Sequence, residues 1–329
     1  MSRILGSSDW LSRRAVLAAS AFLGACRPAL AQLAGRNYRL GFVAQPVRSQ
    51  FAVLFDELQR RGFIEGSNLS VDPRGFGLAV DELEAAAVEV AKAGPDAIYC
   101  GGDAAGRAAQ QATAEIPIVV IADDIMRSHL VSSLAHPGGN VTGISILATE
   151  LDGKRLQLLT EIVPGAATIA ALVDPNTNGP DQIQALIEQA RSGGINLSIH
   201  YAAAVQQIVP AIEAARAADA QALDVLASAF FNANRNLIIE HTARVRVPAI
   251  YQFPEYCAQG ALVAYGSRLS SLYRDAASLL VKVMAGTKPG EIPVQQPTKI
   301  ELAVNVKTAK ALGLTVPQSI LHRADEVIE

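Results

Sequence analysis

Short, continuously apolar runs recur along this chain, each followed by an amphipathic helical stretch, and that alternation narrows the fold more than any other feature. Residues 116–122 (IPIVVIA) and 96–100 (DAIYC) are the clearest runs. Runs of this kind have no polar face to turn to water, so they predict parallel strands covered on both sides by helices. The first unit shows the pattern. Residues 38–44 (YRLGFVA) read as a strand opening into Gln45-Pro46, Phe51, Leu54, Phe55 and Leu58 follow at helical spacing, and Gly62 stops the helix. Further strands are expected at 68–72, 168–173, 196–200, 223–227, 249–251, 261–265 and 300–304. The helices between them are expected at 79–93, 151–162, up to Arg191, 205–217, 232–245, 269–285 and 306–312.

Near the middle, residues 136–147 (HPGGNVTGISIL) break the alternation with Pro137, Gly138, Gly139 and Gly143. These residues forbid a helix and permit sharp turns, so the stretch reads as a crossing between two similar halves. A chain of 329 residues exceeds what one core usually supports, which also points to two lobes. If helix 269–285 packs back on the first half, the chain must cross again near 264–266 and 296–299. The expected division is 38–143 plus 266–296 for lobe 1, and 144–265 plus 297–329 for lobe 2. The fold class is α/β: two Rossmann-like lobes joined by a three-crossing hinge.

The N-terminus reads as an export signal over residues 1–31. Arg3, Arg13 and Arg14 precede an apolar run, residues 15–25, too short to span a bilayer. Residues 12–17 (SRRAVL) are similar to a twin-arginine export motif, and a general secretory signal also carries arginines before its apolar run. Two processing sites compete. Residues 23–26 (LGAC) are similar to a lipobox that would lipidate Cys26, whereas Ala29-Leu30-Ala31 suits ordinary signal peptidase, and soluble release after Ala31 is the preferred reading. Either route places the mature chain outside the cytoplasmic membrane.

A net charge of −3 offers no electrostatic footprint for nucleic acid. Cys26, Cys100 and Cys257 lack any CxxC or zinc spacing, so neither a metal site nor a disulfide framework is expected, and Cys100 and Cys257 read as free buried thiols. The five histidines are scattered, and GxSxG and HExxH are absent. Gly101-Gly102-Asp103-Ala104-Ala105-Gly106 imitates a dinucleotide fingerprint. Asp103 nevertheless stands where backbone must approach a pyrophosphate, and its carboxylate would repel phosphate. A helix N-terminus holding a small polar ligand and a plain turn capped by Asp103 both remain open. Asp123 and Asp124 are adjacent and must point opposite ways, one toward a cleft and one capping the next segment.

Only 5% of residues are aromatic, yet Phe230, Phe231, Tyr251, Phe253, Tyr256 and Tyr265 gather at strand ends of the second half. Such side chains give a small ligand apolar walls with polar tips. Glu255 could meet an amine there, and Asn176 a carboxylate or hydroxyl. Asp224 inside a strand is an unpaired buried charge unless an arginine lies near it.

The runs PGGNVTGIS, IVPGAATIAALVDPN, PAIYQFPEY and AYGSRLSSLYRDA, and the tail from PVQQPTKIELAVNV to the C-terminus, resemble the ABC-transporter substrate-binding proteins related to bacterial tryptophan/tyrosine-binding proteins. The resemblance spans residues 38–329. It implies a periplasmic binding protein of the type I kind, not an enzyme, with no cofactor. Such a protein closes on a small solute and delivers it, as a monomer, to an ABC permease driven by a separate ATPase. A sensor that presents ligand to a membrane receptor is the alternative use of the fold. Carried over residue by residue, the resemblance implies cleft roles for Gly102, Asp103, Asp124, Asn176, Phe230, Phe231, Tyr251 and Tyr265. Closure further requires contacts from both halves, with Gln45 among those of the first. One departure stands out: many relatives read Ala-Asp-Pro-Phe-Phe where this chain has Ala227-Ser228-Ala229-Phe230-Phe231, so a cleft carboxylate gives way to a hydroxyl.

Overall fold

The computed structural model describes residues 36–329. The residues expected to form an export signal, with Arg13-Arg14, Cys26 and Ala31, lie outside the described residues. Two sheets organise the rest. The first contains β1 (Tyr38–Ala44), β2 (Leu69–Val71), β3 (Ala97–Gly101), β4 (Ile118–Ala122) and β5 (Val141–Ser145), in the order β2-β1-β3-β4-β5, with every pairing parallel. The helices α1 (Ala52–Arg60), α2 (Leu83–Lys92) and α3 (Asp103–Ala112) connect its strands. β3, β4 and β5 are buried along their whole lengths, as strands covered on both faces must be.

The second sheet follows α4 (Ala148–Ile162). It contains β6 (Thr168–Val173), β7 (Asn196–Tyr201), β8 (Ala222–Val225), β9 (Ala249–Tyr251), β10 (Val263–Gly266), β11 (Glu301–Asn305) and β12 (Glu326–Ile328). Their order is β12-β11-β10-β9-β8-β6-β7; the β10–β11 pairing is antiparallel, so β11 and β12, parallel to each other, run opposite to the rest. The connecting helices are α5 (Pro180–Ser192), α6 (Val205–Ala217), α7 (Ala229–Ala233), α8 (Arg235–Arg244) and α9 (Glu255–Ala258). The helix expected at 232–245 is thus two helices broken at Asn234. The long α10 (Leu269–Met284) leaves the second sheet and packs on α1 and on β3, β4 and β5 of the first. The chain returns to β11, and α11 (Val306–Leu312) and α12 (Gln318–Leu321) complete it.

The segments that pass between the sheets are knit together. Gln295 forms a parallel bridge with Ile144, taking the Gly143 carbonyl at 2.9 Å and giving its own to the Ser145 N–H at 2.9 Å. Arg268, just after β10, reaches Glu301 of β11 and Glu326 of β12, each at 2.5 Å. Buried Arg155 of α4 donates to the carbonyl of Ala148 at 2.8 Å and to that of Tyr265 at 3.3 Å, and pairs with Asp152. One guanidinium therefore clamps the second-sheet ends of two passages. Gly143, expected to act as a pivot, sits inside β5, where a Cβ would come within 1.9 Å of the Val120 carbonyl oxygen. Its lack of a side chain serves sheet packing. The passage itself falls at Ile146-Leu147, and Leu147 has φ +58°, a left-handed conformation uncommon for such a residue.

Candidate functional site

The carboxyl ends of the two sheets face one another, the place where open parallel sheets present their loops. β3 ends at Gly101, and Gly102 turns the chain into α3 with φ +107°. A Cβ on Gly102 would lie 2.5 Å from the Ala229 Cβ of α7, so only glycine admits this approach between the lobes. Asp103 opens α3. It is buried, and its Oδ2 accepts the Asp123 N–H at 2.8 Å, which ties the loop after β3 to the loop after β4.

The acidic pair after β4 divides its tasks as strand geometry demands, with the roles reversed from the expected ones. Asp124 is the cap: its Oδ1 accepts the N–H groups of Met126 at 3.2 Å and Arg127 at 3.0 Å. Asp123 is the acid that lines the cavity, and its Oδ2 is sealed from water with no hydrogen-bond partner. Burial, then the neighbouring negative charges of Asp103, Asp174 and Asp152, push the Asp123 carboxyl well above the ordinary range. Burial also raises Asp103, against the opposing pull of the Asp123 N–H, Ser128 and Arg107.

On the second sheet, buried Asp174 follows β6 and organises the loops there. Its Oδ1 accepts the Asn176 N–H at 3.0 Å and the Asn176 Nδ2 at 3.1 Å, and its Oδ2 accepts the hydroxyls of Thr177 at 3.1 Å and Ser228 at 2.7 Å. The Ser228 Oγ in turn accepts the N–H groups of Phe230 and Phe231 at 3.0 and 3.2 Å, capping α7. The hydroxyl that departs from the relatives' pattern is therefore held between a carboxylate and a helix end.

Between the sheets lies about 390 Å³ of atom-free space, part of it open to solvent. Phe51, Tyr99, Gly102 and Asp123 line it from the first lobe, Ser228, Asn232, Gln252 and Phe253 from the second, and Tyr273 of α10 lines it where that helix rests on the first lobe. Phe51 stacks edge-on to Tyr99 at 5.4 Å, and Tyr273 lies 5.4 Å from Phe51, so the first lobe supplies a joined aromatic wall. Direct contacts also bridge the lobes: Arg107 Nη2 donates to the Asn176 carbonyl at 3.0 Å, and Gln50 Nε2 reaches the Ala233 carbonyl at 3.5 Å.

The sequence-derived candidates fall unevenly around this cavity. Gly102 lines it, Asp103 stands behind it, and Gln45 is buried beside the lining residue Pro46. Asn176 meets Arg107 from the other lobe. Phe230 and Phe231 are buried in the main apolar cluster, leaving the lining to Ser228, Ala229 and Asn232 beside them. Tyr251 turns inward, its hydroxyl 2.9 Å from Thr242 Oγ1, because a three-residue buried strand offers that face to the core. Tyr265 packs against the opposite cluster. Glu255 accepts the N–H groups of Leu269 at 3.2 Å and Ser270 at 3.1 Å, so its carboxylate caps α10. Reading the sequence missed Phe51, Tyr99 and Tyr273, whose positions look like ordinary core, together with Asn232 and Gln252. The adjacent pair of acids was the one signal that pointed to Asp123.

Comparison with known proteins places these features in a family. The sequence pattern described as ABC transporter substrate binding protein matches residues 48–328. A tyrosine-binding protein of Clostridioides difficile is 26% identical over 266 residues, 78% of this chain and 74% of that one. A conserved domain protein from Vibrio cholerae superposes with a TM-score of 0.79 at 24% identity, over 89% of this chain and 100% of the other. The ABC domain of Streptococcus pneumonia in complex with L-Trp gives 0.77 at 20% identity, again over 89% and 100%. At these identities the two structures share the fold.

Proposed function

The chain belongs to the family of ABC transporter substrate-binding proteins, and we propose that it captures a small organic solute in the cavity between its lobes. The solute is an aromatic amino acid or a related metabolite. The chain works as a monomer outside the cytoplasmic membrane, presents its closed form to an ABC permease with a separate ATPase, and turns over no substrate. The observation that carries this reading is a cavity lined from both sheets, with Gly102 against Ala229 and Arg107 on the Asn176 carbonyl joining the lobes. A ligand can drive closure only through contacts that improve when the lobes meet. Walls divided between two lobes supply that differential, with the passages near Ile146, Ser267 and Pro297 as the hinge. Among the described residues no helix is long and apolar enough to cross a membrane.

A thermal-shift screen of a solute library tests the proposal. A ligand at a hundredfold over its Kd should stabilise the protein by about 2.7 kcal/mol. Trp10, the sole tryptophan, lies in the export signal, so a bound indole would fluoresce against tyrosine alone in the processed chain. A library of small solutes that leaves the melting temperature unmoved would refute the capture of such a solute.

A further inference from the structure

Two acceptors without donors face the cavity. Among the described residues, few side-chain polar atoms are buried without a hydrogen-bond partner, and these include Asp123 Oδ2 and Gln252 Oε1. Both residues line the cavity, one from each lobe. A buried acceptor left unpaired is costly, so the group that completes this site must bring N–H or O–H donors to both. Charge points the same way. The negative charges of Asp103, Asp174 and Asp152 surround the Asp123 carboxyl, whereas no Lys, Arg or His is among the described residues lining the cavity.

The cations whose charge reaches these acids are already engaged. Arg107 is bound to the Asn176 carbonyl; Arg155 is bound to Asp152 and the Ala148 carbonyl and, though its Nε is unpaired, is not among the residues that line the cavity. The helix ends give a carboxylate no better reception. The α7 amides of Phe230 and Phe231 are taken by Ser228, and the first turn of α3 carries the carboxylate of Asp103. The remaining walls, Phe51, Tyr99, Phe253 and Tyr273, present aromatic rings, which attract cations over their faces.

We propose that the cavity selects a protonated organic amine that carries an aromatic body and no carboxylate, its ammonium shared between Asp123 and Gln252 as the lobes close. This rests on the solute-binding reading and narrows it. A zwitterionic amino acid would bring a carboxylate into an acid-rich site with no free cation, and like charge there opposes binding.

The test compares tryptamine and tyramine with L-tryptophan, L-tyrosine and indole-3-acetate by calorimetric titration of the processed chain. The amines should bind about tenfold or more tightly than the corresponding amino acids, and indole-3-acetate should not bind. Asp123→Asn should weaken amine binding by about a hundredfold while leaving the melting temperature of the free protein unchanged or higher. Gln252→Leu, which keeps the charge and removes the second acceptor, should weaken it by about tenfold. Amino acids that bind as tightly as the amines, or an amine affinity indifferent to Asp123→Asn, would overturn the amine assignment and leave solute capture standing. If none of the five compounds binds the assignment also falls, and the broad library then decides solute capture separately.

Discussion

Asp224 offers a test of how this protein tolerates a charge in its core. It lies in β8, wholly buried on the face that α4 covers, and neither carboxylate oxygen has a hydrogen-bond partner. Burial raises its pKa from 3.8 to about 7, with the charge of Arg155 opposing and that of Asp152 adding to the rise. An acid raised on folding lowers stability once the unfolded chain ionises and the folded one must stay protonated. Stability is therefore lost progressively as pH climbs from about 4 to about 7, and the loss is complete above that. At about 1.4 kcal/mol per pH unit, the shift corresponds to about 4 kcal/mol. Asp224→Asn keeps the shape and the unpaired polar atoms but cannot ionise. Denaturant unfolding of both chains across that pH range should show near-equal stability at the acidic end and a growing advantage for the variant, levelling at about 4 kcal/mol above neutrality. A pH-independent difference, or a variant that falls behind as pH rises, would refute the reasoning. Either result would mean that Arg155 holds Asp224 ionised in the fold.

Gly102→Ala adds a Cβ that meets Ala229 only when the lobes are together, so ligand affinity should fall by about tenfold or more. An unchanged Kd by titration would count against the closed contact. Glu255→Ala removes the cap of α10 and should cost about 1 kcal/mol in denaturant unfolding with little change in affinity. An affinity collapse at intact stability would instead make Glu255 a ligand group. Affinity for an organic ammonium should rise with pH from the ordinary carboxylate range toward the raised pKa of Asp123, because burial, and then Asp103, Asp174 and Asp152, favour its protonated form in the empty cavity and Arg155 only partly offsets them. Titration at several pH values reads this directly, and a flat profile would deny Asp123 the role. Cys100 and Cys257 are buried and their thiols pushed up by burial, so a thiol reagent should label neither before unfolding.

Much of the architecture was legible because strands and helices announce themselves locally. The run at 118–122 is apolar throughout, and no neighbour elsewhere in the chain is needed to read it as a strand covered on both faces. The same local logic located the loop at Gly102, the adjacent acids and the family resemblance. Which side chains reach the cavity was not written that way. Phe51 and Tyr273 occupy helical positions that any core residue could hold, and they become a wall only because α10 crosses back onto the first lobe. Tyr251 and Glu255 carry the chemistry of ligand groups, but Thr242 and the first turn of α10 engage them first. Asp123 and Asp124 are alike in sequence, and the tertiary structure separated them: one carboxylate found two amides, the other an acid-rich cavity without a donor. Periodicity is a property of a segment and survives in the sequence, whereas satisfaction of a polar atom depends on distant partners that only folding brings within reach.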